Sequence, residues 1–191
     1  MSTISDDELK AIVEKVVGRT LHSQDSPQTA LPLPDISTSK TVALGADHGG
    51  YKMKEMLASH LSEKGYKVID CGTNSTESVD YPDFAFAVAE KVSVGQAWRG
   101  IVIDGAGIGS CMAANKVPGV RAAMCYDYAT AVNSREHNDA NILTLGAGLI
   151  GDALARQIVD TWLATEFGGG RHTRRVEKII AIENKNLKDG S

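Results

Sequence analysis

The sequence has few cysteines and no excess of positive charge, and each shortage excludes a class of protein. Its three cysteines, Cys71, Cys111 and Cys125, are an odd number without a C-x-x-C spacing, so the sequence predicts neither a disulfide framework nor a zinc site. The formal net charge is -4, whereas a nucleic-acid-binding surface needs a basic face. We therefore expect reduced thiols in the cytoplasm, no bound metal and no nucleic-acid partner.

Long hydrophobic runs are also missing. No stretch approaches the roughly 20 consecutive apolar residues of a membrane span, and no basic segment followed by an apolar core marks a signal peptide at the N-terminus. With 191 residues, 42% of them hydrophobic, the chain is long enough for one good core and too short for two large domains. We expect a cytoplasmic protein with no membrane partner.

The first 40 residues differ in composition from the rest. Residues 22–40 hold three of the five prolines and are interpreted as a flexible linker. Residues 1–21 are interpreted as an amphipathic docking helix, because Ser5 and Glu8 form a capping box. Such a helix either folds back on its own domain or docks into the groove of another protein. Its apolar residues recur at helical spacing: Leu9, Ile12, Val13, Val16, Val17 and Leu21.

From residue 41 onward, strand-like and helix-like segments alternate. Alternation of this kind indicates an α/β fold, here a Rossmann-like five-stranded parallel sheet with helices on both faces. In open sheets of this class, ligands bind outside the carboxyl ends of the strands. The predicted strands are 41–45, 67–70, 100–104, 120–125 and 142–145, and the predicted helices are 51–64, 84–94, 110–116, 128–136, 151–166 and 174–186.

A carboxylate and a glycine-rich turn follow the third predicted strand. Asp104 ends that strand and residues 105–109 read Gly-Ala-Gly-Ile-Gly. The bare amides of such a turn and the next helix form a site for an oxyanion or a phosphate, with Asp104 beside it as a candidate base. Alternatively, the glycines only let strand and helix pack. A dinucleotide site is disfavoured, since Gly109 closes the turn one residue early for G-x-G-x-x-G.

Other polar residues lie near the ends of the predicted elements. Asp47 and His48 either cap the first helix or face a ligand, and His137 is either a ligand-binding histidine or an ordinary surface or core histidine. Residues 171–175 contain three arginines at the start of the last helix. A helix N-terminus prefers negative charge, so these arginines suit a phosphate better than they suit the helix itself.

Six motifs together resemble, in order and spacing, the type B ribose-5-phosphate isomerase family, which also includes the galactose-6-phosphate isomerase subunits. The resemblance covers residues 41–185 and implies a sugar-phosphate isomerase domain over 41–188. It implies aldose–ketose isomerisation without metal or cofactor, and a homodimer or dimer of dimers with the site at the subunit interface. The motifs are residues 46–50 (Ala-Asp-His-Gly-Gly), 80–82 (Asp-Tyr-Pro), 105–109, 113–116 (Ala-Ala-Asn-Lys), 134–139 (Ser-Arg-Glu-His-Asn-Asp) and 169–172 (Gly-Gly-Arg-His).

The resemblance also implies a role for individual residues. His137 would open the sugar ring, and Tyr81 would line the site. The amides of the glycine turn would hold the enediolate oxygens, with Gly105, Ala106, Gly107, Gly109, Ser110 and Asn115 in the substrate site. Asp47, His48 and Asn138 would orient the sugar, and Arg171 and Arg175 would clamp its phosphate.

The sequence departs from the family pattern at the base and at a phosphate contact. The family's usual base is a cysteine at the position of Asp104, or a glutamate at the position of Ser110. We expect Asp104 to act as the carbon base, because a partly buried carboxylate is competent for that role. Gly148 stands where the family commonly has a phosphate-binding arginine, and Ala106 replaces a threonine. Isomerisation of another sugar phosphate, such as a tetrose or hexose phosphate, and sugar-phosphate binding without catalysis therefore stay open.

The N-terminal segment has a resemblance of its own. A short amphipathic helix joined by a linker rich in proline and serine to a complete enzyme resembles the encapsulation peptides of bacterial microcompartments. That resemblance implies shell or cargo proteins as partners of residues 5–21 and a place in the microcompartment lumen.

Overall fold

The computed structural model describes residues 40–188. The predicted docking helix at 1–21 and the linker up to residue 39 lie outside the described residues, so those two predictions stay predictions.

A parallel sheet of five strands forms the centre of this domain, as the sequence predicts. The order across the sheet is β2-β1-β3-β5-β4, and all four neighbouring pairs are parallel. The strands β1 and β3 lie side by side near the middle, so the loops that follow them are neighbours. The strands are β1 (Thr41–Ala46), β2 (Lys67–Asp70), β3 (Arg99–Asp104), β4 (Ala122–Met124) and β5 (Ile142–Gly146).

The strand β4 is shorter than the predicted 120–125. Val120 donates its amide to Val117 in a turn, and the amide of Arg121 donates to the side chain of Asn141 at 2.7 Å. Because these two amides already have partners outside the ladder, pairing with β5 begins only at Ala122.

Six α-helices and one short 3₁₀ helix complete the described part of the chain. The helix α2 begins three residues before its predicted start. Proline has no amide hydrogen, but the first turn of a helix needs no amide donor, so Pro82 fits there. No helix within residues 40–188 is long and apolar enough to cross a membrane. The helices are α1 (Tyr51–Glu63), α2 (Tyr81–Ser93), α3 (Ile108–Ala114), α4 (Tyr128–Glu136), α5 (Asp152–Ala164), the 3₁₀ helix (Gly170–His172) and α6 (Thr173–Lys188).

The helices cover both faces of the sheet, which confirms the predicted layers. On one face α1, α4 and α5 bury a large apolar cluster that includes Leu57 and Trp162. On the other face α2 and α3 bury a smaller cluster around Val88. The helix α6 differs, because few of its apolar side chains are covered. Val176 is buried, but Ile179, Ile180, Ile182 and Leu187 are exposed.

Candidate active site

The loop after β1 lies directly against the glycine turn after β3. Asp47 donates its amide to Ile103 at 3.2 Å, and its buried carboxylate accepts from the amide of Gly50 at 3.0 Å. A β-carbon at Gly49 would lie 3.3 Å from Asp47 Oδ1 and 3.5 Å from the nitrogen of Gly105. A β-carbon at Gly50 would clash with the carbonyl oxygen of Ile103, so the missing side chain at Gly50 lets this loop lie against the end of β3.

His48 and Tyr81 border the same place. His48 Nδ1 lies 3.2 Å from the amide nitrogen of Val79, which fixes the imidazole beside the start of α2. Tyr81, the first residue of α2, is 40% exposed, and a β-carbon at Gly109 would lie 2.5 Å from its ring. The phenol thus packs onto the glycine turn while its other side stays open to a ligand.

Asp104 is buried in the middle of the glycine turn. One carboxylate oxygen accepts from the amides of Ala106, at 2.7 Å, and Gly107. The other accepts from the amide of Ser110 at 3.0 Å. Gly107 has φ of 78°, a conformation that glycine adopts without strain and that aims successive amides inward. Three backbone donors therefore satisfy a carboxylate that is 5% exposed.

Ser110, whose amide bonds to this carboxylate, has a hydroxyl without a partner among the described residues. The residue is completely buried, and within residues 40–188 its Oγ is the buried side-chain oxygen or nitrogen that has no hydrogen-bond partner. A buried hydroxyl without a partner is unfavourable, and its presence calls for an explanation.

The loop after β5 closes the turn from the other side. Ala147 donates its amide to the Asp104 carbonyl at 2.8 Å, and Gly148 donates to the Gly105 carbonyl at 2.9 Å. A β-carbon at Gly148 would lie 2.9 Å from that same carbonyl oxygen, closer than such contacts normally come. The backbone at this position packs on the turn, and Gly148 offers no side-chain donor to a phosphate.

A second group of predicted residues lies at the end of α4. His137 follows the last residue of this helix, and its ring stacks on that of His172 with centroids 4.2 Å apart. Its Nδ1 lies 2.8 Å from the side-chain nitrogen of Asn133. Asn138 donates to the Asn133 carbonyl at 3.2 Å. These contacts place the imidazole of His137 and the amide of Asn138 side by side.

Two predicted arginines belong to this second group. Arg171 lies in the 3₁₀ helix and its Nε is 3.4 Å from His172 Nε2, while Arg175 lies in the first turn of α6. Desolvation lowers the pKa of His172, and the positive charges of His137, Arg171 and Arg175 lower it further. The exposed guanidinium groups of Arg171 and Arg175 suit a phosphate.

Within one chain the two groups lie at opposite ends of the strands. The first group is at the carboxyl ends, and the second is near the amino ends. Asp104 pairs with Gly146 at the carboxyl ends of β3 and β5, whereas Ile142 begins β5 four residues earlier, about 13 Å away along the strand. The helix α4 runs back from the carboxyl end of β4, so His137 lies near the beginning of β5. A single chain therefore cannot bring Asp104 and His137 to one small sugar phosphate.

Asn115 lies apart from the glycine turn. It follows the last residue of α3, where its side chain donates to the Ala122 carbonyl at 2.9 Å and accepts from the Ala122 amide at 2.9 Å. Both polar atoms of the amide thereby hold α3 to the start of β4. Asn115 also lines a cavity of about 250 Å³ shared with Asn138, which places it toward the second group.

Two residues of the second group, His172 and Asn133, were not predicted as site residues, although His172 lies within the 169–172 motif. His172 stacks on His137, and Asn133 bonds to it. Asn133 precedes His137 by four residues, a spacing that puts the two on one face of a helix, so the sequence did carry that signal. Within residues 40–188, no group of three histidine, cysteine, aspartate or glutamate residues is placed to hold a metal ion.

Comparison with known proteins gives one consistent family. Residues 42–179 match the family described as Ribose/Galactose Isomerase. Ribose-5-phosphate isomerase B of Escherichia coli is 47% identical over 146 residues, covering 76% of this chain and 98% of that protein.

Solved structures agree with this match. The ribose-5-phosphate isomerase B of Clostridium thermocellum is 57% identical with a TM-score of 0.76, covering 76% of this chain and 99% of that one. The enzyme of Mycoplasma genitalium, solved with bound ribulose-5-phosphate, is 43% identical with a TM-score of 0.74, covering 76% and 97%. The chain belongs to the ribose/galactose isomerase family.

Proposed function

We propose that this protein interconverts ribose 5-phosphate and ribulose 5-phosphate, with Asp104 as the carbon base. The observation that carries the proposal is a buried carboxylate surrounded by amide donors at the carboxyl end of β3, in a chain of the ribose/galactose isomerase family. A carbon base and donors for a developing oxyanion are the two elements that aldose–ketose isomerisation needs.

The reaction moves one proton between neighbouring carbons. The Asp104 carboxylate takes the proton from C2, and the C–H electron pair becomes part of an enediolate. The Asp104 carboxyl exchanges its proton with water while the enediolate exists and then delivers a proton to C1. The hydroxyl proton of O2 moves to O1, which leaves a carbonyl at C2. Asp47, His48 and Tyr81 border the sugar at this edge, and His137 opens the ring before the proton is moved.

We also propose that each site is built from two subunits. In one chain, Asp104 and Arg171 lie at opposite ends of the strands. The glycine turn of one subunit would therefore face the second group of its partner, which consists of His137, Asn138, Arg171 and Arg175. Exposed apolar side chains support this arrangement, since such surface is typical of an interface. They are Ile108 and Met112 on α3, Leu149 beside Gly148, and Ile179, Ile182 and Leu187 on α6.

The identity of the sugar is tested with a panel of tetrose, pentose and hexose phosphates. We expect ribose 5-phosphate to have the highest kcat/KM of the panel. Its KM should be higher than in family members that have an arginine at this position, because Gly148 supplies no donor to the phosphate. A tetrose or hexose phosphate turned over faster than the pentose would contradict the assignment of substrate. Tight binding of all three without turnover would contradict the assignment as an enzyme.

For residues 5–21 we propose docking to proteins of a microcompartment shell or to other cargo. The family match begins at residue 42, so these residues lie outside it. A fluorescent protein that carries residues 1–40 should gather at shells in cells that make them. A fusion with Leu9, Val13 and Val16 changed to serine is the matched control and should stay diffuse; equal distribution of the two fusions would contradict the proposal.

A further inference from the structure

The amides that the proposed chemistry needs already have an occupant. Ala106 and Gly107 donate to Asp104 Oδ1, yet the reaction requires donors for the enediolate oxygens and a carboxylate free to reach carbon. One N–H group cannot fully serve the carboxylate and an enediolate oxygen at the same time. The resting structure and the working site must therefore differ at Asp104.

We propose that Asp104 fills the enediolate position in the resting enzyme and is displaced from it by substrate, and that the Ser110 hydroxyl becomes its new partner. This inference rests on the proposed function. It makes Asp104 an internal competitor of the substrate as well as the base, and it makes Ser110 a positioning residue.

The exchange keeps the hydrogen bonds of the turn satisfied. An ionised carboxylate and an enediolate are both anionic acceptors, so the amides of Ala106 and Gly107 exchange one negative oxygen for another. Release of Asp104 needs only rotation about its side-chain bonds. The strand backbone stays in place, because the Asp104 carbonyl remains bonded to Ala147.

Ser110 is placed to receive the displaced carboxylate. Its amide is already 3.0 Å from Asp104 Oδ2, so the hydroxyl belongs to a residue that already holds one oxygen of this carboxylate. The hydroxyl is completely buried and has no partner among residues 40–188. A buried donor that is idle in the resting state is explained if its acceptor arrives only when substrate binds.

The Ser110→Ala variant tests the second half of the proposal. We expect kcat to fall by about tenfold or more, as for loss of one hydrogen bond to a charged group, with KM little changed. The melting temperature should not fall, because the resting hydroxyl makes no bond. The pH profile of kcat should also move, since in the proposed substrate-bound state the hydroxyl bonds to the base. Unchanged kcat and pH profile would overturn the role of Ser110.

Ser134→Ala is the matched control. The hydroxyl of Ser134 is also buried, but it accepts from Trp162 Nε1 at 3.1 Å and donates to the Ala131 carbonyl at 2.9 Å. Its removal should lower the melting temperature, which Ser110→Ala should not do. Ser110→Cys, which keeps a weak donor, should have a kcat between those of the wild type and Ser110→Ala.

Competition for the amides is tested with a phosphorylated hydroxamate, whose two neighbouring oxygens mimic an enediolate. Asp104→Ala empties the position, and we expect it to bind the hydroxamate at least about tenfold more tightly than the wild type. Asp104→Asn leaves a neutral and weaker acceptor oxygen in place, and its affinity for the hydroxamate should lie between those of the wild type and Asp104→Ala. Equal or weaker binding by a folded Asp104→Ala, checked by its melting curve, would overturn the proposal.

This outcome is separable from failure of the proposed function. If wild-type protein converts ribose 5-phosphate and Asp104→Ala loses both turnover and hydroxamate binding, the isomerase stands and the internal competition is wrong. If wild-type protein converts no sugar phosphate, the proposed function itself is wrong. If Asp104→Ala does not fold, the Ser110→Ala and Ser110→Cys measurements decide the proposal alone.

Discussion

Asp104→Asn is expected to lower kcat for ribose 5-phosphate by about 10³-fold, the scale of a lost general base. The asparagine oxygen can still accept from the amides of Ala106 and Gly107, but its nitrogen would face the amide of Ser110, and two donors repel. The turn should therefore loosen slightly without unfolding the domain. Stopped assays of product formation and a thermal melt measure the two effects separately.

Asp104→Cys is the matched variant for this prediction. A thiolate is a competent carbon base, and by resemblance the family commonly uses a cysteine at this position. We expect it to retain far more turnover than Asp104→Asn, although it accepts the three amides less well. If asparagine supported turnover within tenfold of the wild type, Asp104 would be a structural residue and the base would lie elsewhere.

The second large effect is recovery of activity in mixed dimers. Asp104→Asn and the double variant Arg171→Ala/Arg175→Ala should each be nearly inactive. In a mixed dimer, one site combines both defects and the other combines an intact glycine turn with intact arginines. Random assortment makes half of the dimers mixed, so reassociated protein should recover about a quarter of wild-type activity.

The control for this experiment is a mixture without reassociation. The two variants combined without a dissociation step should stay inactive, and so should each variant taken alone through that step. Absence of recovery after verified exchange of subunits would contradict a site shared between subunits. In that case His137 and Arg171 would not act on a substrate held at the glycine turn of a partner subunit.

The sheet and its layers could be predicted from the sequence because they depend on local pattern. The predicted strand at 67–70, with Val68 and Ile69 at its centre, and the predicted helix at 128–136 match β2 and α4 residue for residue. One error occurs where a backbone amide has a partner outside the strand ladder, and another where a proline is accepted in the first turn of a helix. The amide of Arg121 bonds to Asn141 and shortens β4, and Pro82 lies inside a helix predicted to begin after it.

The internal arrangement of the site was harder to predict. The sequence indicates Asp104 and His137 equally well as site residues. Only the direction of α4 shows that they lie at opposite ends of the strands. The three amides around Asp104 depend on the conformation of Gly107, which no residue pattern specifies uniquely. Asn115 belongs to a motif, yet its partner is the backbone of Ala122, seven residues away.

The central claim is proton transfer between C1 and C2 by a protein base, and proton NMR of ribose 5-phosphate with the wild-type protein in D₂O tests it most directly. We expect ribulose 5-phosphate to form with deuterium at C1 and, as the reaction reverses, the C2 proton of ribose 5-phosphate to be lost. Asp104→Asn should show neither change. Conversion by the wild type without any uptake of deuterium, or no conversion at all, would contradict the account.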